Sequence, residues 1–316
     1  MADCFAMGTS LVEFAPRRPA QMSTTATAIG HAGEVLQGAG RSADGVHRFL
    51  CSLPAPSFVS RAEIVPTPGH PLSIRPAWAW KALSAAQLLL RPLATKHAEC
   101  EIRIASNIPV AKGCGSSTAD VVATLRALHT HLRIEQNEAD IARMAVQAEG
   151  ATDSSVLLLP TLYRHREGSV EETMPREFPA MHVIVVDAEP ESTVSTLTLR
   201  RPRYSENELA SFEDMRKRLR RAFLDGDAAM IGKIATASAR ANQPYLLKRH
   251  LEEIIDLVKG EGGHGVAAAH SGTVLAMLLP VAPSYDRRAH LEARLASLGM
   301  TNLTEFACSR TPQGAI

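Results

Sequence analysis

The sequence predicts an α+β fold, and the order of its strand-like and helix-like segments carries that prediction. Short β-like pieces, separated by Gly, Pro and Ser, occupy residues 24–75. Helical patterns follow at 77–91, 117–132 and 138–149. Three amphipathic helical stretches then cover residues 205–259. Because strands and helices mix without strict βαβ alternation, an α+β arrangement is favoured over a doubly wound sheet.

Each element has a local reason in the sequence. The stretch AWAWKALSAAQLLLR carries apolar residues at helical spacing and ends before Pro92, which cannot continue a helix. AECEIRIAS alternates apolar and polar residues, which is typical of a half-buried strand. VLLLPTLYRHREG and MHVIVVDAE also predict strands. Near the end come two apolar strands, HGVAAAH and TVLAMLLP, then a helix, DRRAHLEARLASLG, and a last strand, TNLTEFACS.

The length and composition set the domain organisation. The chain has 316 residues, of which 45% are hydrophobic and 21% charged, as in globular proteins with a sizeable core. Its composition changes around residues 165–180, in REGSVEETMPREF. We therefore predict a mobile N-terminal extension over residues 1–22, an N-terminal domain over 23–170 and a C-terminal domain over 171–316.

Charge and cysteine usage exclude several classes of protein. The formal net charge of +1 and the 4% aromatic content argue against nucleic acid or a membrane surface as partner. We interpret the basic run at 216–223 as the solvated face of a helix. The five cysteines form no CxxC pair, and no apolar run approaches the length of a spanning helix. The N-terminus lacks a basic segment followed by an apolar block, so we expect no secretory signal and a cytoplasmic protein.

The loop KGCGSST, residues 112–118, joins a predicted strand to a predicted helix. Gly lets the backbone approach an anion closely, the helix N-terminus offers free N–H groups, and Lys112 adds a full charge. These residues suit a phosphate site. An ordinary turn with Ser116 or Ser117 as N-cap also satisfies the pattern. The loop matches neither GxxxxGK[ST] nor GxGxxG, so a P-loop and a Rossmann site are both disfavoured.

Several segments together resemble one enzyme family. IPVAKGCGSSTADVVATLRAL is similar to the phosphate-binding motif of the GHMP kinase superfamily, which runs Pro, three residues, Gly, any residue, Gly, Ser, Ser. GVAAAHSGTVLAMLL resembles the third superfamily motif. GHAGEVLQG and ANQPYLL are similar to segments of one branch, the L-threonine kinases of cobalamin synthesis. The resemblance covers roughly residues 25–280.

The resemblance implies a fold and an activity. It implies a ribosomal-protein-like N-terminal domain and a ferredoxin-like C-terminal domain, with ATP and substrate between them. The implied reaction is ATP-dependent phosphorylation of L-threonine to O-phospho-L-threonine for adenosylcobalamin synthesis, with Mg²⁺ as cofactor. Another acceptor (homoserine, a sugar or a polyol) and a non-catalytic nucleotide-binding regulator stay open. The expected partners are an amino-acid substrate and ATP, and a homodimer stays open.

The resemblance also implies roles for individual residues. Asp153 lies in a small-residue turn where the family places an aspartate near the substrate hydroxyl, although a turn cap is the structural alternative. For magnesium we expect Ser117 and Glu149, with Asp120 as second candidate. The expected nucleotide-binding residues are Lys112, Gly113, Cys114, Gly115, Ser116, Ser117 and Thr118.

The expected substrate-binding residues come from two further segments. They are His31, Glu34 and Gln37 of GHAGEVLQG, and His270, Ser271 and Gly272 of the third motif. Glu34 suits an ammonium group. A turn with exposed polar residues is the alternative for the first segment. A packed, hydrogen-bonded ring is the alternative for His270.

Overall fold

The computed structural model describes residues 23–43, 45–93, 99–192 and 202–308. The strands in these ranges are β1 (Thr24–Ser42), β2 (Gly45–Pro66), β3 (Ser73–Arg75), β4 (Cys100–Ser106), β5 (Thr161–Arg164), β6 (Ser169–Thr173), β7 (Met181–Asp187), β8 (Gly265–Ala268), β9 (Val274–Leu279) and β10 (Thr301–Cys308). The helices are α1 (Trp80–Leu90), α2 (Ser116–Leu132), α3 (Glu138–Glu149), α4 (Glu206–Asp225), α5 (Ala228–Asn242), α6 (Leu251–Gly260) and α7 (Tyr285–Ser297). None of these helices combines the length and the hydropathy needed to cross a bilayer. The predicted extension, residues 1–22, lies outside the described residues.

One mixed sheet connects the early and late strands. Its order is β10-β7-β9-β8-β1-β2-β4-β3, and the β5–β6 hairpin adjoins β2 where Leu50 pairs with Tyr163. All pairings are antiparallel except that of β3 with β4. The late strands join the early ones through β8, whose Ala268 pairs with Glu34 of β1. The predicted domain boundary between residues 170 and 171 falls within β6, and the division into two domains stays a prediction.

The first two strands are longer than predicted. The sequence predicts several short β-like pieces, whereas β1 and β2 form one long antiparallel hairpin. Its register shifts three times between Ile29 and Leu36. Gly33 has a φ of +80°, which a β-branched or bulky residue rarely adopts, so β1 can bulge there without ending. Gly33 therefore bends β1 without interrupting it.

Helix α2 confirms the prediction for residues 117–132 and packs against β1 and β2. Its inward side chains Val121, Leu125 and Leu128 are fully buried. Burying each such side chain stabilises the fold by about 1.5–3 kcal/mol. The helix, and the loop from which it starts, therefore rest on a rigid support. The predicted helices at 138–149 and across 205–259 are also present, as α3 and as α4 to α6.

The apolar strand β7 is buried on both faces, which explains its lack of alternation. Val183 and Val185 belong to the core cluster that contains α2. Ile184 and Val186 point to the other face, where a second cluster includes side chains of α6 and α7. A strand covered on both faces reads as a continuous hydrophobic run.

Backbone contacts lock the loop at 112–115 to two distant segments. The amide of His31 donates to the carbonyl of Cys114 at 3.0 Å, and the amide of Thr273 donates to the carbonyl of Lys112 at 3.1 Å. A Cβ on Gly113 would lie 1.6 Å from the carbonyl oxygen of Ser271. No side chain fits at this contact, so glycine is required by space as well as by conformation.

The two segments that contact the loop each have a glycine that also lies close to the loop backbone. A Cβ on Gly30 would lie 2.4 Å from the carbonyl oxygen of Cys114, and one on Gly272 would lie 2.2 Å from the carbonyl of Lys112. Gly113 and Gly272 also have φ values of +83° and +99°. Three segments far apart in sequence therefore meet backbone to backbone.

We predict that Gly113→Ala destabilises the protein much more than Gly69→Ala. Gly69 has a nearly equal φ of +80°, but a Cβ there would meet nothing within 4 Å. The control change should cost about 1–2 kcal/mol for the left-handed backbone alone. The Gly113 change should cost about 1–3 kcal/mol more, because the added methyl group displaces the backbone of Ser271. Urea unfolding measures both. Equal losses of unfolding free energy would show that the loop is not locked as described.

Candidate active site

The loop opens directly onto the N-terminus of α2. Gly115 is the N-cap residue and adopts a left-handed conformation, with φ of +72°. The first turn holds Ser116, Ser117 and Thr118 and no acidic residue. The N–H groups of a first helical turn lack intrahelical partners and carry partial positive charge. This end of the helix therefore suits an anionic group.

Glu149, the last residue of α3, faces this helix end. Its carboxylate accepts hydrogen bonds from the hydroxyl groups of Ser117 and, at 2.9 Å, of Thr118. The ammonium of Lys81 lies 3.5 Å from its Oε1. Burial raises the pKa of Glu149 to about 6 despite these contacts. The fold thus brings together Ser117 and Glu149, the pair for which the sequence predicts magnesium binding.

The second metal candidate, Asp120, contacts a strand of the sheet. It accepts a hydrogen bond of 2.5 Å from the hydroxyl of Ser60 on β2, and it is buried against the sheet. Burial raises its pKa to about 6. We attribute a structural role to Asp120, because its described partner belongs to the strand rather than to the loop.

Asp153 belongs to a buried trio of charged side chains. Its Oδ2 lies 3.2 Å from Nε2 of His31, and Nδ1 of the same ring lies 3.5 Å from Oε1 of Glu34. Asp153 precedes a short 3₁₀ turn but makes no side-chain cap bond to it. The side chain of Asp153 is 22% exposed, whereas that of Glu34 is fully buried. Asp153 is therefore the acid of the trio that a ligand can reach.

Burial and charge set the protonation of the trio. Burial opposes the imidazolium form of His31, but the two carboxylates beside it outweigh that effect and raise its pKa to about 9. Burial raises the pKa of Glu34 to about 7 although His31 opposes the rise. For Asp153 burial acts in the same upward direction, but His31 holds its pKa below the usual range. Near neutral pH the centre contains an imidazolium beside an ionised Asp153.

The same trio has the composition of a cation site. One ligand atom from each of His31, Glu34 and Asp153 lies within 4.8 Å of the others. The proton on His31 already supplies positive charge between the two carboxylates. Ser117 and Glu149 offer oxygen ligands alone, which magnesium prefers. They fit a magnesium ion better than a group that contains a protonated histidine.

His270 and Gln37 form a second polar group beside the trio. Nδ1 of His270 lies 2.9 Å from Oε1 of Gln37, and Nε2 lies 3.2 Å from a guanidinium nitrogen of Arg48. Burial, together with nearby positive charges such as that of Arg48, keeps the pKa of His270 well below its usual value. The ring is therefore neutral, with Nδ1 as donor and Nε2 as acceptor. This arrangement matches the packed, hydrogen-bonded alternative for His270.

The remaining predicted residues contact other segments of the protein, Lys112 through its side chain and the others through the backbone. Lys112 does not point to the helix N-terminus: its ammonium lies 2.7 Å from Asp187 and donates to carbonyls of the segment that follows β7. The carbonyl of Gly272 accepts a bond of 2.7 Å from Lys248. Ser271 and Cys114 meet the neighbouring segments through their own carbonyls. Their predicted contacts with ligands stay predictions.

Several residues at the site were missed by the sequence analysis. Lys81 lies in an ordinary amphipathic helix, and Arg48 lies in a long strand without a motif. Lys248 follows ANQPYLL directly, so that segment was the one signal that pointed toward it. Burial lowers its pKa to about 8. Its contact with Gly272 is a long-range one, which local patterns do not reveal.

We predict that one imidazolium persists to about pH 8.5, well above the usual histidine pKa of about 6.5. Because the folded pKa of His31 is raised to about 9, the stability that its proton contributes is present below pH 6.5 and is lost as the pH rises through 9. Side-chain ¹⁵N NMR titration of the twelve histidines measures this. His31→Gln should remove that signal alone. Finding every histidine neutral by pH 7.5 would contradict the charge state of the trio.

The sequence matches two family models and several characterised proteins. The model for the N-terminal domain of GHMP kinases matches residues 79–159, and the model for their C-terminal domain matches residues 219–298. L-threonine kinase from Citrobacter freundii is 32% identical over 61% of this chain, and that from Salmonella typhimurium is 31% identical over 62%. The matched segments span 66% and 63% of those two relatives, slightly under two thirds of their lengths.

A solved structure shares the architecture across nearly the whole chain. The crystal structure of homoserine kinase from Cytophaga hutchinsonii superposes with a TM-score of 0.65 at 15% identity, covering 96% of this chain and 98% of that one. The predicted α+β fold of the GHMP kinases is confirmed. The two family models together match just over half of the sequence, and they include both the loop and Glu149. The chain belongs to the GHMP kinases.

Proposed function

We propose that this protein is an ATP-dependent kinase that phosphorylates L-threonine, giving O-phospho-L-threonine and ADP. One observation carries the proposal: Asp153 and Glu149 both stand at the N-terminus of α2. A Cβ on Gly115 would lie 3.0 Å from Oδ2 of Asp153. Two residues along the helix, the hydroxyl of Ser117 donates a hydrogen bond to Glu149. A phosphate at this helix end would have the proposed metal-binding pair on one side and the ionised carboxylate of Asp153 on the other.

The nucleotide would bind through the loop. The N–H groups of residues 115–118 would hold the β- and γ-phosphates, as backbone donors do at helix N-termini. Ser117 and Glu149 would hold magnesium, which supplies charge neutralisation of the phosphates when bound. The carboxylate of Glu149 would then exchange its hydroxyl partners and Lys81 for the ion. These residues fit the metal because all their contacting atoms are oxygens.

The transfer step requires little covalent help from the protein. The threonine hydroxyl oxygen forms a bond to the γ-phosphorus, the bond from that phosphorus to the ADP oxygen breaks, and the hydroxyl proton leaves to Asp153 or to water. Asp153 is ionised because His31 lowers its pKa, so it is a weak base. We assign it mainly to orienting the hydroxyl group, which suits a loose transition state in which the proton departs late. His31 acts through Asp153 by fixing its position and charge.

The choice of threonine is supported by the relatives named L-threonine kinase and by the segments GHAGEVLQG and ANQPYLL. On this proposal the product serves adenosylcobalamin synthesis. Homoserine is the second candidate, favoured by the fold shared with a homoserine kinase. Its primary hydroxyl stands one carbon further from the carboxylate than the secondary hydroxyl of threonine. A coupled ADP-release assay over threonine, serine, homoserine, sugars and polyols separates these acceptors. If a sugar or polyol is a better substrate than threonine, the assignment of threonine as acceptor fails, but the assignment as a kinase stands.

Nucleotide binding can be followed separately from turnover. The two tryptophans of the sequence, Trp78 and Trp80, are both more than half exposed. The ammonium of Lys81 lies 6.0 Å from the ring of Trp80 and also contacts Glu149. Because Lys81 connects Trp80 to the proposed metal-binding pair, tryptophan fluorescence should change when ATP binds.

We predict that Asp153→Asn lowers turnover of threonine by about 100-fold or more. The change keeps the side chain's size but removes the charge that orients the hydroxyl, so ATP affinity measured by tryptophan fluorescence should stay within about threefold of wild type. Asp120→Asn is the matched control, since it alters a buried aspartate on the neighbouring helix that bonds Ser60 instead. If both variants keep equal activity, Asp153 has no part in the reaction.

We also predict that Glu149→Gln raises the magnesium concentration needed for half-maximal activity by about tenfold or more, because an amide is a weaker ligand for a hard cation than a carboxylate. Asp140→Asn is the control: this acid lies on the same helix, α3, but is exposed and paired with Arg143. Steady-state rates over a magnesium series measure the effect. An unchanged magnesium dependence in Glu149→Gln would remove this residue from the metal site.

A further inference from the structure

A cleft of about 320 Å³ opens beside His270, outside the residues that the sequence analysis singled out. Its lining includes Arg48, Arg166, Arg203, His165, Tyr204 and Glu167. Three guanidinium groups thus face one carboxylate among the lining residues. The lining comes from β2, from the turn between β5 and β6, and from the segment before α4. Such an excess of positive charge favours the binding of a negatively charged group.

Two of these arginines form no ion pair with an acidic side chain in the described part of the chain. Among the described residues, neither Arg166 nor Arg203 lies within 4.0 Å of a carboxylate oxygen. Nε of Arg166 is buried without a hydrogen-bond partner in the same part of the chain. By contrast, Arg164, two residues earlier, and Arg216 both pair with Glu171. A buried guanidinium donor without a partner is costly unless a ligand supplies the acceptor.

The cleft is joined to the trio by His165. The ring of His165 lies 5.0 Å from that of His270, and its carbonyl accepts a bond of 2.9 Å from the amide of Thr152. Thr152 is the residue directly before Asp153. One residue therefore lines the cleft and also holds the turn that carries the reachable carboxylate. The cleft and the turn that carries Asp153 are thus connected through a single residue, His165.

We propose that this cleft binds the carboxylate of the acceptor, with Arg166 and Arg203 as its ligands and Arg48 held beside them by His270. The inference rests on the proposed kinase function and deepens it: the acceptor is a hydroxy acid rather than a neutral sugar or polyol. Guanidinium groups bind carboxylates through two parallel hydrogen bonds, which fixes the orientation of a small substrate as well as its affinity. The neutral ring of His270 accepts from Arg48 and so keeps that guanidinium at the wall of the cleft.

Equilibrium titration calorimetry of the full chain tests this without depending on turnover. The ligands are L-threonine and L-threoninamide, which differ in the carboxylate charge, each with and without saturating ADP and magnesium. Wild type should bind threonine about 10- to 100-fold more tightly than the amide. Arg166→Gln and Arg203→Gln should each remove most of that preference and leave affinity for the amide unchanged. The control is Arg41→Gln, which should change neither affinity. Arg41 is an exposed arginine of the β1–β2 hairpin and pairs with Glu206 of α4.

The outcomes separate this inference from the proposed function. Equal affinity of wild type for threonine and the amide, or no binding of either, overturns the carboxylate site. Arginine-dependent binding of threonine without any phosphorylation supports the carboxylate site and overturns the kinase assignment. Phosphorylation of a neutral sugar or polyol in preference to threonine supports the kinase assignment and overturns the carboxylate site. Inorganic phosphate is the last ligand to titrate. If Arg166→Gln weakens phosphate binding but not threonine binding, the cleft is a phosphate site and the proposal fails.

Discussion

The loop at residues 112–115 lies so close to strand β1 and to the turn at 270–273 that no side chain fits between them. Gly30, Gly113 and Gly272 each stand where a Cβ would overlap the backbone of another segment. These contacts fix where α2 begins, and the packing of α2 on the long hairpin fixes its direction. Every other feature of the site is placed relative to that helix end.

Charge is the second constraint, and it follows from the first. Because the segments meet so closely, His31, Glu34 and Asp153 are forced into a dry space where isolated charges would be unstable. The proton on His31 balances the two acids and keeps Asp153 ionised. On the proposed function, that ionised carboxylate faces the acceptor while the helix end faces the phosphates. On the further proposal, the arginines of the cleft beside His270 bind the carboxylate of the same acceptor.

Much of this could be predicted from local sequence, because the signals are local. The helix at 117–132 follows from apolar spacing, and the loop before it from Gly and Ser at a helix start. Ser117 and Glu149 were each predicted as magnesium ligands, and the fold places them in hydrogen-bond contact. Their binding of the metal stays a prediction. The continuity of β2 was not predicted, since Pro and Ser around residues 54–57 suggest a break where the strand continues.

The long-range contacts could not be predicted. His31 and Asp153 are more than a hundred residues apart, and nothing in either segment specifies the other. The cleft arginines come from three segments without a motif, and the tertiary fold brings them together. Lys112 shows the converse: a cation at a phosphate loop suggests a ligand contact, yet the fold supplies Asp187 as a nearer partner. Local chemistry identifies candidates, and tertiary packing decides which of them meet.

The central claim is that the N-terminus of α2 holds the triphosphate with Asp153 facing the acceptor. A crystal structure of the protein with a non-hydrolysable ATP analogue, magnesium and L-threonine tests it most directly. The account predicts the γ-phosphate on the amides of residues 115–118 and the threonine hydroxyl within about 3 Å of Asp153. A triphosphate bound away from this helix end, or an acceptor hydroxyl out of reach of Asp153, would contradict it.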